Sequence, residues 1–401
     1  MRRLACLLCL LPIALSAQRR AAAPAPPAGW DAFVRAFDAY TQGDSIVGAS
    51  VLILKDGRVL ARHEYGYGDR ALGQRTDSNT IYHWASITKT LTAIAVMQLR
   101  DRGRLSLDDR VVQWIPELRQ IHDPYGSIDS VTIRMLLSHA AGFQNPTWLW
   151  SGGRPWEPFE PTRWEQLVAM MPYEEITFPP GSRFSYSNPG FIYLARIIEA
   201  LSGDPWETYV QKNILTPLGL TRSYFGATPY HLAAYRSNNY TVVRDSAAGR
   251  DSVAANGRDF DPGITIPNGG WNAPLGDLAT YLAFLTRATR GDSALARRYD
   301  TVLAHRSLEE MWRTRYPVIE DGGGQSADSI GMSFFVLWRG GRRFVGHTGH
   351  QAGFRSFFYV DPATGAGIVA NFNTASDAHE GISEAGFAAI RDSALAVLVK
   401  F

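Results

Sequence analysis

Cysteine is nearly missing from this 401-residue chain: Cys6 and Cys9 are the only two, and both fall within the first ten residues. Once an N-terminal leader is removed, the rest can form no disulfide, offers no thiol nucleophile and cannot bind zinc through cysteine. An excess of positive charge is missing too, with 40 Lys and Arg against 38 Asp and Glu. That balance argues against a nucleic-acid binder or a polybasic membrane protein. No apolar run is long enough to span a bilayer, the longest candidate being Leu4 to Leu15. Neither G-x-S-x-G nor H-E-x-x-H occurs, which speaks against an α/β-hydrolase and a zinc peptidase. What is present, 45% apolar and 19% charged residues, is the composition of a packed globule.

The first residues read as an address. Met1-Arg2-Arg3 is a short positive start, Leu4 to Leu15 an apolar run, and Leu15-Ser16-Ala17 a small-residue end. This order predicts a signal peptide over 1–17 and export to the periplasm or the medium, with no integral span left after cleavage. Residues 18–29, with AAAPAPPAG, read as a linker, and 30–401 as one domain.

Trp30, Phe33, Phe37 and Tyr40 recur at helical spacing. Val47 to Leu54 and Arg58 to Tyr65 read as strands joined by an Asp56-Gly57 turn, and Ile87 to Asp101 as a helix closed by Gly103. From about 107 to 263 the pattern is short helices and long loops, among them a Trp-rich loop at 148–164 and a polar loop at 243–263. After a helix at Leu275 to Thr289, strands are predicted at 333–339, 343–346, 354–360 and 365–371, and a last helix at 382–400. Strands near both ends around a helical middle predict one α+β domain with an all-α insertion.

Three short segments carry chemistry. Ser86-Ile87-Thr88-Lys89 opens the long helix and sets Lys89 on the face of Ser86. A serine hydroxyl needs a base, and a desolvated lysine serves when neutral. The chain has four lysines against 36 arginines, so a lysine here fits a need for a deprotonatable amine, which arginine never is. The bland alternative is a serine N-cap beside a solvated lysine. Tyr186-Ser187-Asn188 precedes a helix; a phenol beside an ammonium is expected to have a lowered pKa and to shuttle a proton, and the asparagine amide to orient lysine and substrate. Its alternative is a turn with an Asx cap. Gly346-His347-Thr348-Gly349-His350 follows a strand; its glycines would let a substrate lie close, and a main-chain N–H could join that of Ser86 in an oxyanion hole. Its alternative is a tight glycine turn.

In order, S-I-T-K, Y-S-N and H-T-G follow the pattern of penicillin-recognising enzymes, S-x-x-K, S-D-N and K-T-G. The chain resembles the serine β-lactamase-related family, in the class C branch with D,D-peptidases and related esterases, where tyrosine replaces the first serine of S-D-N. Leu136 to Gly142, Pro180 to Glu199 and Gly269 to Leu278 add to the resemblance, which runs from about Val47 to the last strand. It implies a β-lactamase/penicillin-binding-protein-like fold, an antiparallel sheet flanked by helices with the all-α insertion. It implies Ser86 as nucleophile, Lys89 and Tyr186 in proton transfer, and Asn188, His347, Thr348, Gly349 and His350 at the substrate. It implies a serine hydrolase acting through an acyl-enzyme on an ester or amide of a small molecule or peptide, without metal or cofactor; the alternative is an idle penicillin-binding-like sensor or binding module. The departure is His347, where lysine is usual: its charge is expected only as pH falls through about 6.5. Arg355 is the other cation considered for a substrate carboxylate, with a solvated strand arginine as the plainer reading.

Overall fold

Along the strand Gly48–Lys55, Val51 and Ile53 pack to one side and Leu52 and Leu54 to the other, and all four are buried. A strand apolar on both faces belongs inside a sheet that is covered on both sides. The computed structural model, which describes residues 25–126, 128–144, 161–245, 250–319, 328–376 and 384–401, places it there. The strands are, in chain order, β1 (Gly48–Lys55), β2 (Arg58–Asp69), β3 (Gln74–Arg75), β4 (Ile81–His83), β5 (Tyr224–Phe225), β6 (Asn239–Asp245), β7 (Arg250–Gly257) and β8 (Trp271–Pro274). They continue with β9 (Tyr316–Pro317), β10 (Ser329–Ile330), β11 (Phe335–Arg339), β12 (Arg342–Gln351), β13 (Phe354–Asp361), β14 (Ala366–Phe372) and β15 (Thr374–Ser376). Nine form one antiparallel sheet in the order β3-β2-β1-β14-β13-β12-β11-β10-β9. The join between the two ends of the chain is β1 on β14, with Val51 opposite Ala370 and Ile53 opposite Ile368.

One face is covered by the helices Trp30–Gly43 and Glu384–Leu398; Phe37 stacks on Phe372 at 5.3 Å, and Phe387 meets Phe357 edge-on at 5.7 Å. The opposite face carries the larger core, built around the helices Thr88–Asp101, Pro189–Ser202 and Leu275–Leu285. Two smaller sheets, β4-β8-β5 and β15-β6-β7, flank it. The fold is therefore α+β, an antiparallel sheet covered by helices on both faces, as the sequence predicts.

Some local expectations change. The polar stretch at 243–263 contains part of the hairpin β6–β7, whose strands pair antiparallel from Asn239 opposite Gly257. Two helices, Ser293–Val302 and His305–Met311, lie where no element was expected; the first starts at Asp292, whose carboxylate accepts the Ala294 and Leu295 N–H groups. The H-T-G segment is no turn, because β12 runs unbroken through it. Residues 1–24 and 145–160 lie outside the described residues, and with them the signal peptide, the leader cysteines, Trp148, Trp150 and Trp156. Trp164, the fourth tryptophan of that loop, lines a pocket of about 190 Å³ with Ile192 and Trp206. Among the described residues no helix is long and apolar enough to cross a membrane.

Candidate functional site

From Thr80 to Leu99 every residue is buried except Ser86. Its exposure follows from the turn that carries it. Ala85 has φ of 49°, a left-handed backbone uncommon for a residue with a Cβ, and a 3-10 turn over Ala85–Ile87 then leads into the helix Thr88–Asp101. Surrounding bonds hold this geometry. Trp84 N–H donates to Trp271 O at 2.8 Å and its indole N–H to Ala273 O at 2.9 Å. Thr88 Oγ1 donates to Ala85 O at 2.6 Å and accepts Trp271 N–H at 3.0 Å. Ser86 makes no helix-capping bond, so the N-cap reading does not describe it.

One turn on, Lys89 is buried, so the solvated-lysine reading fails as well. Its Nζ lies 3.0 Å from Ser86 Oγ and donates to the main-chain oxygen of Asn268 at 2.9 Å. The Tyr186 ring lies beneath it, 4.9 Å from nitrogen to ring centre. Among the described residues no carboxylate pairs with it, and burial holds its pKa well below the ordinary lysine value.

Tyr186 is half-buried with its phenol oxygen shut off from solvent, and this desolvation pushes its pKa up, the nearby Ser86 side chain only moderating the rise; the oxygen completes no hydrogen bond among the described residues. This reverses the lowered pKa expected from a neighbouring ammonium. Desolvation of the phenol outweighs what a neighbouring ammonium would contribute. Asn188 stands at the start of the helix Pro189–Ser202 without capping it, which removes the Asx-cap reading, and its Oδ1 accepts from Asn268 Nδ2 at 3.2 Å. Asn268 thus touches Lys89 through its main chain and Asn188 through its side chain. No motif marks this residue, since a carbonyl contact can come from any residue type.

β12 supplies the remaining wall. Its pairing with β11 ends at Gly346, and it runs on to Gln351 beside the Ser86 turn. A Cβ at Gly349 would stand 2.3 Å from Trp84 O, so only glycine lets the strand approach this closely. Thr348 is buried and His350 exposed. His347 departs from its expected part. It is fully buried, its ring 5.1 Å from that of Phe335 and 6.4 Å from that of Tyr186, with Nδ1 2.5 Å from Thr348 O. Burial lowers its pKa to about 3, so it brings no charge to the site between pH 8 and pH 5.5. Arg355 is neither solvated nor turned to the site: it is buried with its guanidinium 4.3 Å over the Phe387 ring.

Comparison with known proteins fits this geometry. The chain is 25% identical over 337 residues to Protein flp of Staphylococcus aureus strain COL, covering 83% of this chain and 61% of flp, so it spans about three fifths of that relative's length. The octameric penicillin-binding protein homologue from Pyrococcus abyssi superposes with a TM-score of 0.70 at 27% identity, over 90% of this chain and 77% of that one. D-amino acid amidase from Ochrobactrum anthropi SV3 shares the fold, with a TM-score of 0.74 at 20% identity over 92% and 98% of the two chains. The Beta-lactamase family model matches residues 33–392, nearly the whole described chain, and the protein belongs to that family.

Proposed function

We propose that the protein is an exported serine hydrolase that works through an acyl-enzyme. The observation that carries this reading is the buried Lys89 amine, without a carboxylate partner among the described residues, 3.0 Å from the hydroxyl of Ser86, the one residue from Thr80 to Leu99 that is not buried. A neutral amine takes the Ser86 proton as Oγ attacks the carbonyl carbon of an ester or amide. Tyr186, held as a phenol by burial, then donates its proton to the departing alcohol or amine and is reprotonated from Lys89. Asn188, Thr348, Gly349 and the main chain of His350 line the place for the substrate, with His347 packed behind them. Water later releases the acyl group from Ser86 by the same path in reverse.

The names penicillin-binding protein homologue and D-amino acid amidase among the structural neighbours support a small ester, amide or peptide as substrate. The amino-terminal pattern supports a place in the periplasm or medium. With no charged His347, a substrate carboxylate is not an expected requirement, and neutral esters are the first compounds to try. The test is labelling with a fluorescent phosphonate read by intact mass. Wild type should gain one adduct, Ser86→Ala none, and the melting temperatures should agree closely; an adduct that survives Ser86→Ala removes the assignment.

A further inference from the structure

His139 is fully buried and takes no part in the chemistry just described, yet it touches three consecutive residues of the segment that carries Tyr186. Its main-chain oxygen accepts the Ser185 N–H at 2.8 Å. Its ring lies against the Tyr186 ring, 4.3 Å between centres and 23° from parallel. Its Nδ1 accepts the Ser187 N–H at 3.0 Å, which places the ring proton on Nε2, a buried atom with no partner among the described residues. The residue also has φ of 53°, a strained left-handed backbone for a histidine. A buried donor left unsatisfied and an unfavourable backbone are both costs, and ordinary packing gives no reason to retain them.

We infer that His139 is a positioning residue that fixes the Tyr186 phenol and, through Ser187, the helix start at Asn188, against Lys89. Residues 185–188 have no regular structure of their own before the helix begins at Pro189, so their geometry must come from elsewhere. One imidazole supplies a flat face and an acceptor at the spacing of adjacent residues. It must be neutral to do so, because a protonated Nδ1 could not accept. Burial keeps it neutral by holding its pKa well below the usual histidine value. This inference rests on the hydrolase reading above.

The test uses the full chain with p-nitrophenyl butyrate turnover, phosphonate labelling and thermal melting of wild type, His139→Gly and His139→Asn. Glycine accepts the left-handed backbone but removes both face and acceptor; asparagine also tolerates it and restores an acceptor. His139→Gly should lose about 100-fold in kcat with a much smaller change in KM, as a displaced proton donor would. His139→Asn should recover about a tenth to a third of wild-type kcat. The glycine variant should also admit water beside Lys89, whose titratable neighbours are Tyr186, His139 and His347. That rehydration raises the lysine pKa, so the acid limb of the kcat/KM profile moves to higher pH, which loss of folded protein alone would not produce. A labelled wild type together with an unimpaired His139→Gly, or losses that only track the folded fraction with the acid limb unmoved, overturns this inference alone. An unlabelled wild type overturns the hydrolase reading and the inference with it.

Discussion

The two arms of the site are built in different ways. Ser86 and Lys89 are three residues apart at the start of one helix, and their 3.0 Å contact follows from helical geometry. Tyr186 and Asn188 lie on a segment without regular structure, placed by contacts from His139 and Asn268, 47 and 80 residues away in sequence. The spacing within the first arm is set by its own segment, and the surrounding strands fix only where it stands. The second depends on a template. Local damage should therefore disable the first arm chemically, and distant damage should disable the second geometrically.

The largest effect is expected at Lys89. Lys89→Arg keeps a charge but cannot accept a proton, and should cost at least ~100-fold in turnover. Lys89→Met should be as inactive yet more stable. On the hydrolase reading, folding at pH 7 strips the proton that the unfolded lysine holds up to about pH 10.4, and methionine removes that cost. A rise of a few degrees in Tm, on the order of 1 kcal/mol, would show it. A Lys89→Met variant less stable than wild type would mean that the amine is native in its charged form.

Acid should strike the templated arm. His139 and His347 are both native as neutral rings, with pKa values below the unfolded value of about 6.5. The unfolded chain then binds more protons below pH 6.5, so stability is lost as pH falls from there towards about 3. Each ring contributes about 1.4 kcal/mol per pH unit once its unfolded counterpart is charged. Urea midpoints at a series of pH values would measure this, and His347→Gln should flatten the slope.

Gly349→Ala would test the contact between the strand and the serine turn. A methyl 2.3 Å from Trp84 O forces the strand or the turn to move, with an expected loss of about 1–3 kcal/mol in stability and reduced acylation. The smallest change is expected for Asn268→Ala. It keeps the carbonyl that holds Lys89 and removes only the amide on Asn188, so about 10-fold in kcat/KM, or ~1.4 kcal/mol, is expected. If that variant lost as much as Lys89→Arg, the two arms would not be separable.

This division also explains what could be read from the sequence. S-I-T-K was legible because helical spacing alone puts the two side chains together. The long strands were legible because β1 and β13 are apolar on both faces, and the ordered motifs identified the fold. The pKa directions at Tyr186 and His347 were not legible. They depend on burial by Phe335, His139 and the sheet, which spacing does not reveal. His139 lay within a recognised stretch, Leu136 to Gly142, but nothing in its residue type showed that it would reach forward to 185–187. β7 and the last residues of β6 read as loop because they are mostly polar and, from 252 to 257, face little core, whereas Tyr240 and Val242 earlier in β6 are buried.

The contact at Gly349 has a consequence for motion. Ser356 Oγ donates to the same Trp84 oxygen at 3.2 Å, and Asn371 Nδ2 donates to His83 O at 2.8 Å. Three neighbouring strands, β12, β13 and β14, therefore grip the two residues just ahead of Ala85. The nucleophile cannot swing without carrying the middle of the sheet along. In amide hydrogen exchange, residues 84–88 and 346–350 should behave as one slow unit, released only by global opening, whereas a serine on an independent loop would exchange early and alone.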